Sequence, residues 1–555
     1  MISTPARFVL LLVVSTLPAT AAVLRVDGDA ANGGNGSTWG SAFNTIQAAL
    51  NNAAEGDELW VAEGEYPEVD TNGGSSLTMK SGVDLYGGFG GDETERDRRN
   101  PLAHISTVLG TAASQGENTP VAPIIQGADN ARLDGFTVRG GRAANGGAMS
   151  NFNVSPTIAN CIFVDNRAIS VAPGQGVGGA IFNFIDAAPT ITNCTFRENT
   201  ADFAAGAIMN ERRCDCLVTG CTFLNNTSHL GGAISNNNSF PEYRNCRFTS
   251  NAAVDGANDA GGGEEGFGGA VYNIGRLPDQ FPGEPEVNHP TFVNCIFAKN
   301  SATGFGGAIF NSETLGDFIQ CTLAGNAAGL RAGASYAFDG AKPIFLNSIL
   351  WDNDPEEIFD DPNFFVEFEP PTTPAPAATT VQYCAILGGW PGTGNLNRVP
   401  EFVDIASNDI RLCPESPLID AGRITSEVSD FQDQPRPYDG TAEPRGDGSD
   451  FDIGADEYSG DVSCGAEGEG EGGEGEGEGE GEGEGGEGEG EEGEGEGDGG
   501  EGEGDGGDGD GEGEDEPRFD CPEPQKIALD TNPANVLSVL ILALSLLLPW
   551  GKSRF

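Results

Sequence analysis

The chain has 555 residues, and its 86 acidic side chains outnumber its 28 Lys and Arg residues to give a formal net charge of −58. One low-complexity tract carries part of this charge, but the rest of the chain is also strongly acidic. Nucleic acid and anionic lipid are therefore excluded as partners, because they are negatively charged as well.

The first segment, residues 1–22, has the features of a secretory signal peptide. Arg7 precedes an apolar run from Phe8 to Val14, and the segment ends in the small residues ATAA. The run is too short to span a membrane. We therefore expect cleavage near Ala21 or Ala22 and export of the remaining chain.

Residues 23–66 are predicted to form an N-terminal cap with a short helix. The stretch AFNTIQAALNNA places four apolar side chains on one helical face, namely Phe43, Ile46, Leu50 and Ala53. Ser41 precedes this face and is the predicted N-cap of the helix. The following stretch, DELWVAEGEY, is expected to begin the first strand.

Residues from about 130 to about 355 repeat two short motifs in alternation. The first is GGA or AGA, an apolar residue, any residue and then Asn, and its final residues are Asn151, Asn183, Asn210, Asn236, Asn273 and Asn311. The second is Cys, any residue, Phe or Leu, two more residues and Asn. It has Cys161, Cys194, Cys221, Cys246, Cys295 and Cys321 before Asn166, Asn199, Asn226, Asn251, Asn300 and Asn326, with Ser348 and Asn353 in a last copy.

This repetition predicts a solenoid, since each unit is too short to bury a core of its own. Segments such as PTITNCTF alternate β-branched or aromatic residues with polar ones, which favours short strands. Identical residues of successive coils would lie about 4.8 Å apart. Asn side chains could then bond to one another in ladders, while Phe and Ile stack inside. We predict an all-β fold, a right-handed parallel β-helix over residues 23–458.

The repeats also resemble a known family. GGA followed by an apolar residue, together with FVDN, FREN, FLNN, FTSN and FAKN, is similar to the repeat pair of the chlamydial polymorphic outer membrane proteins, which are surface β-helix adhesins. The stretches NGSTWGSAFNTIQAAL, VDLYGGFGGDET, SPLIDAG and DIGADEY resemble secreted bacterial right-handed β-helix proteins. The resemblance implies a β-helix and, by analogy, a role in adhesion.

After the repeats, residues from about 380 to 458 are predicted to form a module that closes the solenoid. Residues 459–520 are nearly all Gly, Glu and Asp, which predicts a disordered acidic linker. In residues 521–555, the apolar run from Val536 to Trp550 precedes Lys552 and Arg554. This tail resembles the C-terminal sorting signals of bacterial surface proteins. It predicts an apolar helix that anchors the chain in the envelope membrane or is removed by a sorting protease.

The cysteines fall into two predicted groups. The six cysteines of the repeat occupy a position that requires a small buried side chain, and Ser348 replaces one of them. Stacked parallel Cβ vectors suit a disulfide badly, so we expect these six to be buried thiols. The candidate disulfides are Cys384 with Cys413, and Cys464 with Cys521.

The turn after the GGA strand carries the charged residues that could form an active site. They are Asp186, Glu211, Arg212, Arg213, Asp215 and Glu313. Neighbouring coils could combine an arginine base with carboxylates, as in a polysaccharide lyase, or two acids, as in an inverting hydrolase. A salt-bridged surface turn is the favoured interpretation. No cofactor or metal site is predicted, apart from loose Ca²⁺ binding by GDGDGEGED in the linker.

These observations favour an exported, surface-anchored β-helix protein with a role in adhesion or another form of binding and no catalytic signature. The turns, or the inserts at 253–267 and 275–289, would contact an extracellular glycan or a component of a host or neighbouring cell surface. The alternative is a polysaccharide lyase or glycoside hydrolase that acts on an extracellular acidic polysaccharide. A structural component of a surface layer is the third hypothesis.

Overall fold

The computed structural model describes residues 21–67, 77–110, 122–172, 174–255, 265–275, 288–361, 377–407, 409–441, 445–460, 462 and 464. These residues belong to a compact unit that spans residues 1–470, and a second unit, residues 471–555, lies outside them. Residues 1–20, most of the predicted linker, the predicted C-terminal helix and the central parts of both inserts therefore lie outside the described residues.

Three long parallel sheets run along the molecule. The first sheet has twelve strands: Val23–Val26, Glu58–Ala62, Asp84–Phe89, Arg132–Asp134, Thr157–Ala159, Thr190–Thr192, Leu217–Thr219, Glu242–Arg244, Thr291–Val293, Asp317–Ile319, Ile344–Leu346 and Thr380–Gln382. The second sheet has eleven: Gly64–Tyr66, Ser106–Leu109, Phe136–Arg139, Ile162–Val164, Thr195–Arg197, Thr222–Leu224, Arg247–Thr249, Ile296–Ala298, Thr322–Ala324, Ile349–Trp351 and Ala385–Ile386. The third sheet has ten: Leu77–Thr78, Ile125–Gln126, Met149–Phe152, Ile181–Phe184, Ile208–Glu211, Ile234–Asn237, Val271–Ile274, Ile309–Ser312, Ser335–Phe338 and Ile358–Asp360.

Two smaller sheets complete the strands. A short parallel sheet has seven two-residue strands: Arg142–Ala143, Arg167–Ala168, Thr200–Ala201, Thr227–Ser228, Ala252–Ala253, Ser301–Ala302 and Ala327–Ala328. An antiparallel pair is formed by Phe402–Asp404 and Asp409–Leu412. Three 3₁₀ turns lie at Trp39–Ser41, Arg96–Arg98 and Ile405–Ser407.

Each coil visits the sheets in the same order. One coil consists of Ile181–Phe184 in the third sheet, Thr190–Thr192 in the first, Thr195–Arg197 in the second and Thr200–Ala201 in the short sheet. The next coil pairs with it in register, so that repeat positions coincide and Asn183 lies opposite Asn210. The predicted all-β solenoid of stacked parallel strands is confirmed.

Aromatic side chains stack along the inside of the solenoid. Phe163, Phe196, Phe223, Phe248 and Phe297 follow one another with ring centroids 4.7–5.0 Å apart and nearly parallel planes. All five are fully buried. Because the coils are in register, one aromatic per repeat is sufficient to build a continuous core.

Two asparagine ladders run beside this core. In one, each Asn from Asn166 to Asn326 donates its side-chain amide to the Asn Oδ1 of the next coil at 2.8–3.0 Å. In the other, from Asn151 to Asn273, the same contact measures 2.8–2.9 Å. Except for Asn353, which is 5% exposed, these asparagines have no exposed surface.

The first ladder ends at a carboxylate. The backbone N–H of Asn353 donates to Glu357 Oε1 at 3.2 Å, and the Asn353 side chain donates to Oε2. Glu357 is buried, and this burial raises its pKa from 4.5 to about 7. The last amides of the ladder therefore have an acceptor, although burial disfavours the ionised form of Glu357.

We expect Glu357 to make the stability of the protein depend on pH. Because its pKa is higher in the folded chain, the proton stabilises the fold fully below pH 4.5, and this stabilisation, up to about 3 kcal/mol, is lost as the pH rises through 7. Glu357→Gln keeps an acceptor for Asn353 and cannot ionise. Thermal unfolding at pH 5 and pH 8 should show a smaller difference for the variant than for the wild type, and equal differences would contradict this role.

The six repeat cysteines lie in one buried row as free thiols. In this row, a side chain accepts a hydrogen bond from a backbone N–H of the preceding coil. Cys194 Sγ accepts from Cys161 at 3.5 Å, and Ser348 Oγ accepts from Cys321 at 3.1 Å. Burial raises the pKa of the Cys161 and Cys194 thiols well above the ordinary value. Serine can therefore replace cysteine here, because its hydroxyl accepts the same bond.

The predicted disulfide pairs are wrong. Cys413 is bonded to Cys464, with their Cα atoms 5.8 Å apart. Cys384 is a buried free thiol that continues the cysteine row, since Ser348 donates its backbone N–H to Cys384 Sγ at 3.2 Å. Because Cys413 and Cys464 are bonded to each other, Cys413 is not available to Cys384. Cys464 is likewise not available to Cys521, which lies outside the described residues.

An α-helix, Ile46–Asn52, lies near the start of the solenoid and buries Ile46, Ala49 and Leu50 in its core. The predicted N-cap, Ser41, is wrong because Ser41 ends the 3₁₀ turn Trp39–Ser41. Thr45 is the N-cap, and its side chain accepts the backbone N–H of Ala48 at 3.2 Å. The helix is shorter than the apolar pattern indicated, because Phe43 precedes it in extended chain.

The predicted closing module runs back along the solenoid. Its residues 423–433 contact the corner residues that join the first and second sheets in four coils. The contacts include Arg423 with Asn347, Ser429 with Asn294 and Asp433 with Asn245, at 2.7–3.2 Å. The module is thus placed beside the outer face of the second sheet.

Candidate functional site

The charged turn predicted as a possible active site forms surface ion pairs. Arg213 binds Asp186 of the preceding coil through two contacts of 2.8 and 2.9 Å, and this bond lowers the pKa of Asp186. Arg212 lies 3.6 Å from Glu211 and over the ring of Phe184 at 5.0 Å. These groups are largely solvent-exposed, which is the arrangement that the salt-bridge interpretation predicted.

The other two predicted members are separated from this pair. Asp215 is exposed, and none of the ion pairs among the described residues includes it. Glu313 follows the strand Ile309–Ser312, four strands along the third sheet from the strand that precedes Asp186, which is about 19 Å at the usual strand spacing. The structure therefore does not bring the six residues together in one site.

A polar cleft lies between the closing module and the second sheet. One wall is the strand Asp409–Leu412, in which Ile410 and Leu412 are buried while Asp409 and Arg411 face outward. Its apolar side packs with Ile296. Alternation along this strand therefore fixes the module to the solenoid and directs a charged pair to the cleft.

The cleft has a volume of about 360 Å³. Arg247 and Ile296 come from the solenoid, and Ser407, Asp409, Ile410, Arg411, Phe431, Gln432 and Asp456 come from the closing module. This volume lies within the range of small-molecule sites, and the lining combines an aromatic ring with converging donors and acceptors.

Two arginines in the cleft have different environments. Arg411 is held by Asp409 in a two-point contact of 2.8 and 2.6 Å, which raises the pKa of Arg411 and lowers that of Asp409. Arg247 lies over the ring of Phe431 at 5.0 Å. Burial lowers the pKa of Arg247, and the charges of Asp409 and Asp456 act in the opposite direction.

Asp456 is the other acidic side chain that lines the cleft, and it is 6% exposed. Gln432 donates its side-chain amide to Asp456 Oδ1 at 2.7 Å. Burial, together with nearby Asp430, raises the pKa of Asp456 to about 6. The cleft therefore holds two carboxyl groups whose pKa values are moved in opposite directions, a pattern that occurs at functional sites.

Sequence reasoning missed this site. Residues 409–412, with the sequence DIRL, were placed only within the predicted closing module, although their alternation already indicated an outward Asp409 and Arg411. Arg247 occupies the outward position that Thr222 holds in the preceding coil. A charged residue at a position that carries Thr or Ile in neighbouring coils was the available signal.

Comparisons with known proteins agree with the fold. Residues 120–273 match the model of the right handed beta helix region. Residues 294–312 match the Chlamydia polymorphic membrane protein repeat. These matches support the predicted handedness and the repeat resemblance. No curated protein matches the chain.

Two solved structures are similar to this chain. The crystal structure of pectate lyase Pel9A has 15% identity and a TM-score of 0.46, and the similarity covers 79% of this chain and 97% of that one. A rhamnogalacturonan lyase has 12% identity and a TM-score of 0.36, and the similarity covers 69% of this chain and 91% of that one.

Neither a metal centre nor a membrane span is found in the described part of the chain. No group of three or more His, Cys, Asp or Glu side chains in it is arranged to hold a metal ion. None of its helices is long and apolar enough to cross a membrane. The linker segment predicted to bind Ca²⁺ and the tail segment Val536 to Trp550 both lie outside that part.

Proposed function

We propose that this protein is an exported, surface-anchored β-helix that binds an extracellular glycan in the cleft between its closing module and its second sheet. Residues 1–22 direct export, and the helix Ile46–Asn52 caps the solenoid. Residues 459–520 serve as an acidic spacer, and the apolar segment within residues 521–555 anchors the chain in the envelope membrane or is removed by a sorting protease. The biological role is adhesion to a cell or to its surrounding matrix.

The cleft is the observation that supports this function. A sugar presents hydroxyl groups that donate and accept hydrogen bonds, together with apolar C–H faces. Arg411 supplies donors, Asp409 and Asp456 supply acceptors, and Phe431 supplies an aromatic surface.

Binding can be tested with the full chain on an array of neutral and acidic glycans, followed by calorimetry with the best ligand. Arg411→Ala removes a donor that is 42% exposed, so the fold should be retained. We expect this variant to bind at least about tenfold more weakly, the loss of one charge-assisted hydrogen bond. Arg398→Ala changes an exposed arginine outside the cleft and should bind like the wild type.

Two results would contradict the proposal. One is the absence of binding to any glycan on the array by a correctly folded chain. The other is equal affinity of Arg411→Ala and the wild type for a glycan that does bind. The second result would place binding elsewhere on the molecule.

A second candidate function is glycoside hydrolysis in the same cleft. It is favoured by the two carboxyl groups, because a raised pKa suits a general acid and a lowered pKa suits a base or nucleophile. New reducing ends from a bound polysaccharide, lost in Asp456→Asn, would establish this activity. Binding without product would leave the protein as a glycan-binding protein.

A further inference from the structure

A second groove lies on the same outer face of the second sheet. It has a volume of about 580 Å³ and is bounded on one side by residues 97–102. Thr137, Ile162 and Thr195 line its floor, and Asn160 and Asn193 line its edge. Leu102 is 87% exposed at its rim. The groove therefore offers hydroxyls, amides and apolar side chains.

The wall of this groove is held by a buried ion pair. Arg99 donates to Asp134 at 2.6 Å and to the backbone carbonyl of Gly87 at 2.9 Å. Asn160 donates to the same Asp134 carboxylate at 2.9 Å. Because Asp134 has almost no exposed surface, this wall is fixed by the fold.

Register connects the second groove to the cleft. Thr195 pairs with Thr222, and Thr222 pairs with Arg247, so that these three residues form one row across neighbouring strands. Thr195 lines the groove and Arg247 lines the cleft, which leaves only Thr222 between them. Phe223 is buried, so Thr222 faces outward like its two neighbours. The distance from Thr195 to Arg247 is two strand spacings, about 10 Å.

The row of outward residues that joins the groove to the cleft is long enough to contact a polymeric ligand. From Thr137 in the groove to Arg247 in the cleft it crosses four strand spacings, about 19 Å. The wall at residues 97–102 stands at one end, and the wall at residues 407–411 stands at the other. We call the surface formed by the groove, Thr222 and the cleft the trough.

Charge in the trough indicates what kind of polymer fits. Its lining has three arginines and three aspartates, Arg99, Arg247, Arg411, Asp97, Asp409 and Asp456. Arg99 and Arg411 are each paired with a carboxylate. The trough therefore has no excess of positive charge for a polyanion, and the net charge of −58 on the chain repels one.

We propose that the trough binds a neutral, extended polysaccharide that lies across the strands of the second sheet and occupies both the cleft and the groove. This inference rests on the proposed function, since the cleft is one end of the trough. It adds the class of ligand, a neutral polymer of several sugar residues. It also assigns Thr137, Thr195 and Thr222 to ligand contact.

The test is the dependence of affinity on ligand length. Calorimetry with the full chain would use neutral cello-, manno- and chito-oligosaccharides from disaccharide to octasaccharide, with oligogalacturonates as the acidic series. For one neutral series we expect affinity to rise at least tenfold with length and then reach a plateau. The acidic series should show no such rise.

Thr222→Trp places a bulky side chain between the two halves of the trough. It should abolish the gain of affinity with ligand length. Thr190→Trp makes the same change at an exposed position on the outer face of the first sheet and should behave like the wild type. Circular dichroism of both variants would confirm that they are folded.

The outcomes separate the two proposals. Affinity independent of length, or a full gain from length in Thr222→Trp, would overturn the trough and leave glycan binding in the cleft intact. A gain from length only in the acidic series would overturn the neutral ligand. Failure of every oligosaccharide to bind would overturn the proposed function together with the trough.

Discussion

Replacing Asn226 with alanine is expected to lower the free energy of unfolding by about 4 kcal/mol, because several buried polar groups lose partners at once. Asn226 Oδ1 accepts the backbone N–H of Asn199 at 3.1 Å and its side-chain amide at 3.0 Å. Its own amide donates to the Phe196 carbonyl and to Asn251 Oδ1, both at 2.9 Å. The site is fully buried, so bulk solvent does not supply the lost partners.

The neighbouring residue is a matched control for this variant. Asn225 is exposed and has a left-handed backbone with φ of 54°, which glycine adopts readily. Asn225→Gly should therefore change the free energy of unfolding by no more than about 0.5 kcal/mol. Denaturant unfolding of the three proteins measures both effects. A similar stability for Asn226→Ala and Asn225→Gly would contradict the role given to the ladder.

The second large effect is expected at Phe223, in the middle of the internal aromatic stack. Its ring is fully buried and lies 5.0 Å from the ring of Phe196 and 4.7 Å from that of Phe248. Phe223→Ala removes these contacts and leaves a cavity between two coils that cannot close, because the backbone ladders fix their spacing. We expect a loss of about 3–5 kcal/mol in the free energy of unfolding.

Cys221→Ser, in the same coil, is the control. Cys221 is as buried as Phe223, but Ser348 already fills the equivalent position and its hydroxyl donates to the Phe318 carbonyl at 3.2 Å. We expect this variant to lose about 1 kcal/mol or less. If Cys221→Ser were as damaging as Phe223→Ala, the cysteine row would have a function beyond filling space.

The repeat made the solenoid predictable from sequence. A residue such as Phe223 or Asn226 has the same environment in every coil, so its recurrence reveals which side chains stack inside. The order of strands in a coil follows from the two motifs. Local sequence is therefore sufficient to predict a periodic fold, because each coil of the solenoid contacts only its neighbouring coils.

Features that depend on non-repeating contacts were not predictable in the same way. The Cys413–Cys464 disulfide joins residues 51 positions apart in a module without a repeat. The cleft needs Arg247 of the solenoid and Arg411 of the closing module, which the sequence separates by more than 160 positions. The packing of Ile410 on Ile296 and the path of residues 423–433 along the solenoid bring the two together.

Hydrogen–deuterium exchange of the full chain with a bound neutral oligosaccharide would test the central claim most directly, because it reports where on the molecule the ligand lies. The account predicts slower exchange in peptides that cover residues 405–412 and 243–249, which form the two sides of the cleft. Slower exchange confined to the turn at 186–215, or no change in either side of the cleft, would contradict it.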